Sequence, residues 1–84
     1  VGMINLQFFA RYREQLDCEA EQLPWDASLQ TLADVRQHLL ARGEQWQVLA
    51  EPRIMCARNQ ELCSLETLIA DGDELAFFPP VTGG

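Results

Sequence analysis

Two kinds of hydrophobic spacing run along these 84 residues, and each predicts a different element. Met3 to Phe9, MINLQFF, alternates: Ile4, Leu6 and Phe8 fall on one face, Asn5 and Gln7 on the other. Period-two alternation is the mark of a half-buried strand. Phe9 breaks the alternation by placing an aromatic ring on the polar face. ARYREQLD, residues 10–17, reads as a connector with one helical turn. Cys18 to Leu23 reads as a short second strand with Glu19 and Glu21 solvated, and Pro24 to Ala27 as a break.

The helical period appears in Thr31 to Arg42, where Leu32, Val35 and Leu39 form one apolar stripe. Thr31 and Asp34 have the spacing of a capping box, with Ser28 as a rival cap one turn earlier. Arg42 suits the negative end of the helix, and Gly43 is expected to supply a left-handed stop. Trp46 and Leu49 are expected to cover the end of the core. Ile54–Arg58 and Glu61–Ser64 then read as strands around Asn59-Gln60, which places Cys56 opposite Cys63 if the loop is two residues long. Ala70 to Glu74 is a turn centred on Gly72, and Leu75 to Phe78 is the last strand.

The order predicts an α+β domain, a mixed sheet of about five strands with one main helix across one face. The first and last strands are the most hydrophobic, so they are expected side by side at the sheet centre. A helical crossover lets them run parallel. The domain is expected over residues 1–78, with Val1-Gly2 a remnant or short extension, and the tail over 79–84.

Composition narrows the function. The net charge is -7, from thirteen acidic and six basic residues. All six cations are Arg, spread without a stripe, which argues against phosphate-backbone binding and for partners that offer basic surfaces. No apolar run approaches the roughly 20 residues that span a bilayer, and no secretory signal pattern opens the chain. No membrane or nucleic-acid partner is therefore expected. Three cysteines without C-x-x-C spacing exclude a disulfide scaffold, a zinc knuckle and a plant-type iron–sulfur cluster. Packed thiols in a reducing cytoplasm fit them best. His38 reads as a surface residue, and Asp71, Asp73 and Glu74 as turn chemistry, so no metal ligand set is assigned.

The remaining chemistry lies in the tail. Pro79 and Pro80 cannot donate to a ladder, so pairing must stop at Phe78. The six residues from Pro79 to Gly84 can reach about 20 Å when extended. Val81 and Thr82 keep the middle stiff, and Gly83 and Gly84 fit a channel too narrow for side chains. The end is a bare carboxylate, inert until another enzyme activates it. The chain has no lysine, so an activated carboxyl would find no side-chain amine on its own molecule.

FFPPVTGG together with DGDE, the opening MINLQFFARYRE and the TLADVRQHLL helix closely resembles the small subunits of molybdopterin synthase. The resemblance covers Met3 to Gly84. Gly-Gly alone is weak, because ubiquitin-like modifiers and the sulfur carrier of thiazole synthesis share it. The resemblance implies a ubiquitin-like β-grasp fold and a sulfur carrier without a tightly bound cofactor. It implies that an activating enzyme uses ATP to adenylate Gly84, which then becomes a thiocarboxylate. It further implies that Pro79, Pro80, Val81, Thr82 and Gly83 insert into the large subunit, in a heterotetramer, where sulfur passes to cyclic pyranopterin monophosphate. Phe9, Leu62 and Phe78 are expected to form an exposed apolar patch for these partners, with Arg13 at its rim. A protein modifier, a thiazole-pathway carrier and a plain interaction module are the competing functions.

Overall fold

The computed structural model describes residues 2–80 and shows five strands, two α-helices and a 3-10 helix. β1 (Gly2–Phe8) leads through α1 (Arg11–Leu16) to β2 (Ala20–Trp25). The main helix α2 (Leu32–Leu40) is followed by the 3-10 helix Glu44–Ala50. β3 (Met55–Arg58), β4 (Glu61–Cys63) and β5 (Glu74–Phe78) complete the chain.

The sheet order is β2-β1-β5-β3-β4. β1 and β5 are parallel at the centre, with Leu6 opposite Leu75 and Phe8 opposite Phe77. The other pairings are antiparallel, giving the mixed sheet of a β-grasp. One sheet face is the core: Ile4, Leu6, Phe8, Leu75 and Phe77 are fully buried and join Leu32, Val35 and Leu39 of α2. Phe8 stacks on Phe77 at 6.4 Å and meets Trp46 edge-on at 5.8 Å. The alternation of β1 and the stripe of α2 thus face one another, and burial of both drives the fold.

Thr31 caps α2 as its spacing predicts: its hydroxyl accepts from the Asp34 amide, and the Asp34 carboxylate accepts from the Thr31 amide. Ser28 does not cap it. Its own amide donates to Asp26 at 2.7 Å within the preceding turn.

The structure corrects several expectations. β2 runs from Ala20 to Trp25, straight through the anticipated break at Pro24. It is an edge strand, where a proline nitrogen can face outward without costing a ladder bond. The connector holds a six-residue helix rather than one turn, with Tyr12 and Leu16 buried beneath it. α2 ends at Leu40, so Gly43 is not its stop; at φ 135° and ψ -173° it opens the 3-10 helix instead. Arg42 forms an ion pair with Glu21 and lies 4.7 Å from the Trp46 ring centroid, rather than capping α2.

The β3–β4 loop is the two-residue Asn59-Gln60 turn, and Cys56 does face Cys63. Both turn residues have positive φ, 52° and 71°, as a type I′ turn requires. Asn59 tolerates this conformation better than most residues, and its side chain is tied down by the Glu74 amide at 3.0 Å. Cys18, Cys56 and Cys63 are free thiols. The Cys56 thiol donates to the Cys63 carbonyl at 3.3 Å, and burial pushes its pKa up to about 12. It therefore stays protonated and packed.

The acidic turn before β5 is a latch. Asp73, 7% exposed, accepts from Arg58 Nε at 2.7 Å, the Ala70 backbone amide at 2.8 Å and the Asn59 side-chain Nδ2 at 3.2 Å. Asp71 accepts the Met3 amide at 2.8 Å. Both carboxylates hold the start of β5 against its neighbours. Burial alone would raise the pKa of Asp73, but Arg58, the Ala70 amide and Asn59 outweigh it and hold the carboxyl below its ordinary range. A depressed folded-state pKa contributes stability above the unfolded value near 3.8, lost as pH falls through the folded value. Asp73→Asn is expected to cost about 2 kcal/mol at neutral pH and to flatten the acid limb of stability below about pH 4. Urea unfolding at a series of pH values measures both effects.

Candidate functional site

The sheet face opposite the core carries the site. Strand alternation sends Ala76 and Phe78 of β5 to this face while Leu75 and Phe77 enter the core. Pairing then sets Gln7, Ala76, Ala57 and Leu62 side by side in one row across β1, β5, β3 and β4. The two central members are alanines, so the middle of the row is low. Phe9, Phe78 and Leu62 rise around it, and Pro79 closes the side from which the tail leaves. The result is an open apolar depression of ≈ 550 Å³.

Phe9 leaves the regular pairing of β1, yet its amide still donates to the Phe77 carbonyl at 3.3 Å. Ala10 then turns sharply with φ 55° and ψ -133°, a region that L-residues rarely occupy and that costs about 1–3 kcal/mol. The rings of Phe9 and Phe78 meet edge-to-face with centroids 6.4 Å apart. Phe9 is 43% exposed and Leu62 68% exposed, while Phe78 is half-buried. Large apolar groups gathered on one exposed face, rather than scattered singly, mark an interaction surface.

The structure therefore brings Phe9, Leu62, Phe78 and Pro79 together, as the sequence suggested. Arg13 stands apart: it is exposed on α1 and does not line the depression. Its neighbour Arg11 is the residue engaged in a cluster, donating to Glu51 at 2.5 Å beside the Tyr12 hydroxyl, which reaches the same oxygen at 2.6 Å. Arg11 and Tyr12 hold the Glu51 carboxyl below its ordinary range, and burial raises the Tyr12 phenol. Pro80 is half-buried directly after Pro79. Val81, Thr82, Gly83 and Gly84 lie outside the described residues.

Ala57, Ala76, Gln7, Gln60 and Glu74 also line the depression, and sequence reading missed them. The signal was present in the small residues at outward positions of β3 and β5. Among the described residues no cluster of three or more His, Cys, Asp or Glu could hold a metal ion, and no helix is long and apolar enough to cross a membrane.

Residues 6–84 match the ThiS family. The chain is a member of that family.

Its relatives include the molybdopterin synthase sulfur carrier subunit of Haemophilus influenzae, 45% identical over 83 residues, covering 98% of this chain and 100% of the relative. The subunit of the same name from Escherichia coli is 41% identical over the same coverage. The resemblance drawn from the FFPPVTGG tail is thus borne out along the whole chain. Among solved structures, SAMP1 from Haloferax volcanii superposes with a TM-score of 0.79 at 28% identity, covering 99% of this chain and 100% of that one. A protein-protein complex of subunits 1 and 2 of molybdopterin-converting factor from Helicobacter pylori matches with a TM-score of 0.65 at 26% identity, covering 98% and 99%.

Proposed function

We propose that this chain is the sulfur carrier subunit of a molybdopterin synthase. In this reading the Gly84 carboxylate attacks ATP in an activating enzyme, giving an acyl-adenylate and releasing pyrophosphate. Sulfur at the sulfide level, delivered by a donor, then displaces AMP at the acyl carbon and leaves a thiocarboxylate. The tail carries that sulfur into the large subunit, where it bonds to a carbon of cyclic pyranopterin monophosphate, and water cleaves the acyl–sulfur bond and returns Gly84 to a carboxylate. A thiocarboxylate suits the task because its sulfur is anionic at neutral pH and soft.

The observation that carries the reading is the position of the tail root. Pro79 forms part of the wall of the apolar depression, so a partner docked there receives the tail beside its own surface. Docking through Phe9, Leu62 and Phe78 supplies affinity without involving the reactive end. Full-length likeness to sulfur carrier subunits, at 45% and 41% identity, supports the sulfur chemistry over conjugation.

A second reading, a protein modifier, draws on the likeness to SAMP1, the small archaeal modifier protein 1 of Haloferax volcanii. Both readings need an activated Gly84, and only the acceptor differs. Co-expression with an activating enzyme and a sulfur source, followed by intact mass, tests the first. The expected result is replacement of one terminal oxygen by sulfur; an unchanged mass, or a chain found only in amide linkage to other proteins, would overturn it.

A further inference from the structure

The depression does not end at its alanines. Gln7 and Glu74 line it and also line a second hollow of ≈ 410 Å³, bordered by Asn5, Leu6, Ala20, Gln22 and the Arg42-paired Glu21. The two hollows adjoin at Gln7 and Glu74, the first apolar and the second of mixed polarity. No arginine lines either part.

The other carboxylates that are not exposed are engaged: Asp73 pairs with Arg58, Glu51 with Arg11 and Glu21 with Arg42, and Asp34 accepts from the Gln30 and Thr31 amides. Glu74 differs. It is half-buried on a central strand, and among the described residues its carboxylate has neither a hydrogen bond nor an ion pair. Only its backbone is engaged, accepting from the Asn59 amide at 2.7 Å and donating to the Asn59 side chain at 3.0 Å. A partly buried carboxylate loses hydration, and further cover by a docked protein makes that loss severe unless a cation arrives with it.

We infer that Glu74, with the Gln7 carboxamide beside it, receives an arginine or lysine side chain from the same protein that covers Phe9, Leu62 and Phe78. Ala76 and Glu74 lie two residues apart on one strand face, about 7 Å. The partner therefore presents a cation roughly one strand repeat from its apolar anchor, on a single contiguous surface. The net charge of -7 favours the encounter in the same sense. The inference rests on the proposed function and takes the large subunit as the occupant.

The test uses the full chain and the large subunit, with binding titrated calorimetrically at low and at physiological salt. Glu74→Arg is expected to weaken binding by about tenfold or more at low salt, Glu74→Gln by less, and both to reduce the salt dependence of the wild type. Thermal unfolding of each variant should match the wild type, because the side chain makes no internal bond. Equal binding by Glu74→Arg, or a loss that keeps the full salt dependence, would overturn the inference while leaving the proposed function intact. A wild-type chain that fails to bind the large subunit would overturn both.

Discussion

Removal of Gly84 is expected to abolish sulfur transfer while leaving the chain folded and able to dock. The shortened chain would still end in a carboxylate, on Gly83, but that group would stop about 3.5 Å short of its place. Activation and transfer both require the reacting atom within bonding reach of groups fixed in another protein. A misplacement of even 1 Å can cost about a hundredfold, so a whole residue should cost on the order of a thousandfold or more. Docking should survive within a few-fold, because Phe9, Leu62 and Phe78 line the depression and are untouched by the deletion. Product formation measured beside affinity for the large subunit separates the two. Retained transfer would refute the role of Gly84, and a parallel loss of affinity would mean that the tail itself provides the docking energy.

The second large effect is expected from filling the depression rather than removing a wall. Ala76→Trp places an indole at the centre of the outward row, over Gln7 on one side and Ala57 on the other. The change points away from the core, and tryptophan suits a strand, so stability should move by no more than about 1 kcal/mol. Partner binding should fall by about a hundredfold, a loss near 2.7 kcal/mol. Phe78→Ala removes an aromatic anchor from the rim and should weaken binding by about 2 kcal/mol, again with the fold retained. A calorimetric titration of both variants against the large subunit, beside their thermal melts, reads each quantity. Wild-type affinity for Ala76→Trp would place the docking surface elsewhere. A collapsed melt for Phe78→Ala would instead make that ring a structural member.

The elements legible in the sequence were those where one physical cause acts alone. Alternation in β1 and β5, the capping box of Thr31 and Asp34, and the two-residue turn at Asn59-Gln60 all depend on local spacing. Errors arose where tertiary position overrides local preference. Pro24 reads as a break but sits harmlessly within an edge strand, a fact set by sheet order rather than by neighbours in sequence. The 3-10 helix of Glu44–Ala50 has no strong period, and packing of Leu49 and Trp46 against the core defines it. Gly43 followed a helix, yet the helix had already ended at Leu40.

At the site, aromatic residues out of pattern betrayed themselves, so Phe9 and Phe78 were found. Ala57, Ala76 and Glu74 were not, because a hollow is defined by what is missing between neighbours on different strands. Only the register shows that two alanines lie side by side, and that Glu74 stands next to them without a cation. Arg13 was expected at the rim, whereas it is exposed on α1 and does not line the depression. Spacing in sequence identifies faces, and pairing across strands identifies surfaces.

The central claim is that Gly84 carries sulfur to a small acceptor within the large subunit. A single-turnover experiment tests it most directly. The chain is loaded with isotopically labelled sulfur on Gly84, mixed with the large subunit and cyclic pyranopterin monophosphate, and followed by intact mass and by label in the pterin. The account predicts that label leaves the protein and enters the pterin in step, while Gly84 returns to a carboxylate. Label that stays on the chain, or a Gly84 found in amide linkage to another protein with no sulfur in the pterin, would contradict it.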